Sequence, residues 1–174
     1  MAAPSLGPLA VDATAWLALL LYPAVHMQSF SDDKATKSFL WPRRLFVLGG
    51  AVFAVHVVLA FIVHYELSHE VALGEVAEQT EALTGVASGA GLYLNYLFAG
   101  LWLVEAIWWS FAAASYCSRP AVLAAAIHAF FLFMILNGAV VFVPWPRRAL
   151  GLAILLVCLV AMGRRLLARR AEVT

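Results

Sequence analysis

Glu105 stands in the run Leu101 to Trp109 with no other charged residue in it. A carboxyl group placed at bilayer depth costs about 3 kcal/mol to insert, so such a residue needs a partner or a task. On a helix, Trp102 and Trp109 lie at its i−3 and i+4 positions and can donate indole N–H groups to it. The roles open to it are a neutral or hydrogen-bonded lock on helix packing, a proton relay, and ligand binding.

His56 and His128 lie in two further apolar runs that are expected to point the same way. Counting about 1.5 Å per residue from the inner ends puts His56, Glu105 and His128 within roughly one helical turn of the same depth. Imidazoles from two helices at one depth suit axial ligation of a haem iron. The fourth run offers His128 alone, so the expectation is one haem b at most, and a neighbouring carboxylate would favour a non-haem transition metal or proton transfer instead. The plainer reading makes each histidine a hydrogen-bonded packing group.

A second constellation, His64, Glu66, His69 and Glu70, mixes imidazole and carboxylate ligands at the outer end of the second run. His64 and His69 are five residues apart, about 140° around a continuous helix, unlike the i, i+4 pair that chelates zinc. A loop starting near Tyr65 would be needed to gather them, with Glu75 or Glu78 completing a metal site. The alternative is a solvated acidic loop.

The elements that position these groups follow from composition. The chain has 174 residues, of which 64% are hydrophobic and 12% charged. That balance is far from a soluble domain and leaves room for one helical bundle with short loops. A net charge of +1 provides no basic face for nucleic acid. Cys117 and Cys158 have no metal-type spacing and predict no disulfide framework.

Runs of membrane-spanning length predict an all-α bundle of five transmembrane helices over about 11–30, 45–65, 92–116, 121–143 and 147–165. Pro23 is expected to kink the first. The N-terminal stretch has no Lys or Arg before its apolar run, so that run is expected to stay as a helix and not to be cleaved as a signal peptide. The last run is short and depends on Trp145 at one interface and on Arg164 and Arg165 snorkelling to the other. Four spans with a re-entrant or surface-lying final segment is the alternative.

Nine of the eleven Lys and Arg residues fall on one side of this arrangement, and only Arg147 and Arg148 on the other. The positive-inside rule then places the N-terminus outside and the C-terminus in the cytoplasm. The segment 66–91 has no Lys or Arg, is expected outside, and carries five glutamates among apolar residues in the pattern of an amphipathic helix. Gly49 and Gly50 admit close helix contact, and Asn95 and Asn137 suit hydrogen bonds between helices.

The blocks HYELSHEVALGEVAEQT, GLYLNYLFAGLWLVEAIWW and HAFFLFMILNGAVVF, between Val55 and Phe142, resemble a family of bacterial multi-pass inner-membrane proteins with no assigned activity. The resemblance implies the architecture and a bacterial inner-membrane location, and assigns no catalytic residue. There is no P-loop, Rossmann glycine pattern, GxSxG or HExxH, and five histidines are too few for the histidine boxes of membrane desaturases.

Three functions fit these residues. The first is a small membrane subunit holding a metal or haem and serving electron or proton transfer. The second is a non-catalytic subunit or assembly factor binding protein partners within the lipid bilayer. The third is a proton or ion path through Glu105.

Overall fold

The computed structural model describes residues 6–28 and 40–171, all helix and connecting turns with no strand among them. Lys34 and Lys37 lie outside the described residues, as do the side chains of Arg165, Arg169 and Arg170. The helices are α1 Leu6–Gln28, α2 Leu40–Val63, α3 His69–Thr84, α4 Ala90–Phe111, α5 Ala113–Cys117, α6 Ala121–Leu136 and α7 Arg147–Ala171. A π-helical segment, Asn137–Val141, extends α6.

Among the described residues four helical stretches are long and apolar enough to cross a membrane: Leu6–Ala24, Leu40–Val63, Ala90–Phe111 and Ala121–Val141. The chain therefore has the build of a helical membrane protein. The predicted fifth span is not among them. Its helix is longer than expected, but arginines at both ends confine the apolar run to 149–162, about 21 Å of helix against a core of about 30 Å.

Helix α1 runs on through Pro23. It lies antiparallel to α2: Gly7 faces Val63 at one end and Leu21 faces Gly49 at the other. Neither Gly49 nor Gly50 has a Cβ, and the indole of Trp102 from α4 occupies the shelf this leaves; a Cβ on Gly49 would stand 2.7 Å from the ring. Trp102 Nε1 also donates to the Phe46 carbonyl at 3.0 Å. Around that seat Tyr22, Phe46, Phe98 and Phe131 bring rings from α1, α2, α4 and α6 within 6.0 Å of the indole. Each such ring pair contributes about 0.5–1.5 kcal/mol beyond area burial. In lipid this dense packing substitutes for a hydrophobic driving force between helices.

The predicted outer amphipathic segment folds as α3, shorter than 66–91. Glu66 and Leu67 take left-handed backbone angles, φ 51° and 58°, and turn the chain out of α2. The Ser68 hydroxyl then caps α3 by accepting from Val71 N at 3.3 Å. Gly85 ends the helix in the left-handed conformation, φ 78°. Ala72 and Val76 pack against Leu92 of α4, while Glu70, Glu75, Glu78 and Glu81 stay exposed.

The third predicted span, 92–116, breaks at Ala112, whose φ −138° and ψ 53° separate α4 from α5. Asn137 does not reach another helix: its side chain donates to Phe133 O of its own helix at 2.7 Å. Its carbonyl accepts from Phe142 N, five residues on, which defines the π-helical turn. Helix α7 closes the bundle through Gly151, seated against the backbone of Ala139 in that turn so that a Cβ would collide with the Ala139 carbonyl.

Candidate functional site

His56 lies on α2 with its ring 5.6 Å from that of Phe53. Its Nδ1–H donates across to the α1 backbone, at the Val11 carbonyl, 3.0 Å away. His128, on α6, places Nδ1 2.9 Å from the hydroxyl of Tyr22. Tyr22 is buried, stacked on Phe131 at 5.2 Å and edge-on to Trp102 at 6.0 Å. Both histidines thus tie their helices to α1.

The two attachment points on α1, Val11 and Tyr22, are eleven residues apart, about 16 Å of helix. Two imidazoles on one metal ion, with bonds of about 2 Å each, sit about 4 Å apart. The expected depth match between His56 and His128 is therefore corrected. Counting from predicted helix ends misplaced it, because α2 begins at Leu40, five residues ahead of the predicted 45, so that His56 stands further from the start of its helix than expected.

Glu105 is 2% exposed and lies 3.4 Å from Arg119, whose side chain is 7% exposed. The Arg119 guanidinium lies 3.7 Å over the ring of Tyr116, and Tyr116 stacks on Trp109 at 4.9 Å with the planes 9° apart. Trp109, Tyr116 and Arg119 so form three layers beside the acid. Burial pushes the Tyr116 phenol up to about 12; Arg119 pulls against this and Glu105 adds to it. Glu105 Oε2 and Arg119 Nε make no hydrogen bond among the described residues.

This partner was not found in the sequence. Arg119 reads there as one more cytoplasmic charge, and the indoles of Trp102 and Trp109 as the donors to Glu105. Trp102 instead donates to Phe46, and Trp109 serves as the stacking floor for Tyr116. The available signal was the run from Trp109 to Arg119, where one break at Ala112 turns the chain back on α4.

The second constellation does not gather. His64, Glu66, His69 and Glu70 are all exposed. His69 turns onto α4, with Nδ1 3.0 Å from the Tyr96 hydroxyl and its ring stacked on the Tyr96 ring at 5.9 Å. Among the described residues no three His, Cys, Asp or Glu side chains come together as a metal site requires. Cys117 is exposed and Cys158 buried, both as free thiols.

No family model, no curated protein and no solved structure matches this chain.

Proposed function

We propose that this chain is a small non-catalytic subunit of a bacterial inner-membrane complex, holding its partners in place by its fold and its outer acidic helix. One observation carries the reading: the half-buried His56 and His128 and the buried Glu105 each make an internal contact that closes the bundle. His56 joins α2 to α1, His128 joins α6 to α1, and Glu105 joins α4 to the turn before α6. Polar groups in lipid that bond to neighbouring helices act as glue. Glu70, Glu75, Glu78 and Glu81 give α3 an exposed acidic face.

The proposal includes five spans, with the N-terminus outside and the C-terminus in the cytoplasm. Support for α7 as the fifth comes from its buried face, Gly151, Ile154, Cys158 and Ala161, which follows the bundle for about 15 Å. Arg147 also pairs with Asp12 near the start of α1 at 2.7 Å. Discounting Arg119, whose charge is buried in its pair, still leaves eight basic residues on the cytoplasmic side against two.

The test is gentle solubilisation of the source membrane followed by native mass spectrometry, with native chain and a Glu70→Gln, Glu75→Gln, Glu78→Gln variant. A stoichiometric complex that the variant weakens is expected. A chain that leaves the membrane as a lone monomer would overturn the reading.

A cofactor-bearing subunit, with haem b or a transition metal and a part in electron or proton transfer, is the second reading. It is favoured by the Nδ1 bond of His56 to a backbone carbonyl, the arrangement that orients a ligating imidazole. Oxidised and reduced absorption spectra together with metal analysis decide it; no Soret band and no stoichiometric metal reject it.

A further inference from the structure

Between the middle of α1, the second half of α2, the first half of α4 and the end of α6 lies a cavity of about 190 Å³. No Lys, Arg, Asp or Glu lines it, so neither an anion nor a cation would find a counter-charge there. The wall is mostly apolar, with four polar side chains in it: His56, Tyr65, Asn95 and Tyr96. The occupant this chemistry suits is neutral, apolar over most of its surface and able to hydrogen-bond at its edge.

Size narrows the choice. An apolar cavity of about 150 Å³ accommodates benzene, so this one suits a single substituted six-membered ring. Aromatic walls suit the same guest. Phe53 meets Phe98 edge-on at 4.8 Å, and Phe61 stacks with Tyr96 at 6.2 Å, so the rings that would contact it are held by one another.

The polar groups say where its oxygens go. The His56 Nδ1–H is taken by the Val11 carbonyl, which in the neutral ring leaves Nε2 as an acceptor. The Asn95 amide makes no hydrogen bond among the described residues and offers both a donor and an acceptor. Asn95 is also exposed, giving the cavity a mouth beside α4 through which a hydrocarbon tail can pass.

We propose that this cavity binds a hydroxylated six-membered aromatic ring, a hydroquinone head group, whose hydroxyl donates to His56 Nε2 and whose second oxygen meets the Asn95 amide. Such a ring reaches the site either on a lipid-soluble tail or as a free small molecule. The cavity stands apart from the Glu105–Arg119 pair, and the inference does not depend on the subunit reading.

The test uses the full chain in phosphatidylcholine nanodiscs under anaerobic conditions, titrated calorimetrically with decylubiquinol in one arm and tail-free hydroquinone in the other, with empty nanodiscs as blanks. Saturable, stoichiometric binding is expected, weakened about tenfold by His56→Phe, the loss of one hydrogen bond. Ala60→Leu, which adds bulk to the cavity wall, is expected to weaken it at least as much. Thermal unfolding checks that each variant is folded, and Ala60→Leu decides alone if His56→Phe is not. Binding in both arms, or in either one, supports the site and identifies the source of the ring. No saturable binding in either arm, or binding that Ala60→Leu leaves unchanged, overturns it.

Discussion

Glu105 and Arg119 are fourteen residues apart in sequence and 3.4 Å apart in space, in surroundings that exclude water from both. Removing one member of a buried pair leaves the other charge without compensation, which costs more than the pair contributes when intact. Glu105→Gln is therefore expected to destabilise the bundle by on the order of 3 kcal/mol, read from the unfolding midpoint in detergent. The double variant Glu105→Leu with Arg119→Met should recover most of that loss, since apolar residues of similar size replace a buried pair at little cost. A double variant as unstable as the single one would show that the pair is not the cause. The Tyr116 phenol beside it titrates late, near 12 against an ordinary 10.0. Here the folded chain keeps a proton that the unfolded chain releases, so this group's contribution to stability is full below pH 10 and is lost between pH 10 and 12. Tyrosinate absorbance, native minus Tyr116→Phe, should show the late step; a step near pH 10 would contradict the burial.

Among the elements, the closest approaches rest on residues with no side chain to interpose. Gly151→Ala would drive a methyl group into the Ala139 carbonyl and lift α7 from the π-helical turn. The expected result is α7 cut by protease at concentrations that leave native chain intact, while the four apolar helices stay protected. Gly85→Ala has open space around it but a φ of 78°, so its cost is conformational, about 1 kcal/mol, and confined to the end of α3. Hydrogen exchange should show faster opening of α3 and no change in α4. The four apolar helices were legible because bilayer thickness sets a length that uninterrupted apolar runs either meet or miss. The breaks were not. Ala112 and Asn137 sit in sequence as apolar or helix-compatible as their neighbours, and only packing against other helices selects a turn at one and a π-helical step at the other. The histidines were legible as buried polar groups, whereas their partners, a backbone carbonyl and a tyrosine on α1, depend on helix adjacency that periodicity does not encode.

For the whole molecule, the five-span reading predicts which surfaces meet which compartment. Cys117 is exposed at the end of α5 and Cys158 is buried in α7, so the native chain already carries one accessible thiol and one shielded thiol. A membrane-impermeant maleimide should label Cys117 only in inverted vesicles, and a Cys at position 78 on α3, replacing Glu78, only in right-side-out cells. Labelling of both from one side would refute the proposed topology. The Trp102 seat carries a consequence for how the bundle is made. The glycine shelf on α2, with Leu21 of α1 at its edge, and the Phe46 carbonyl beside it receive the Trp102 indole from α4. At about 5–20 residues per second, the 52 residues from Gly50 to Trp102 take roughly 3–10 s to synthesise. For that interval the α1–α2 hairpin sits in the bilayer with a notch that lipid tails must fill, and any helix with an aromatic residue at the right height can compete for it. The rate of translation thus sets how long the notch stays open before its own tryptophan arrives.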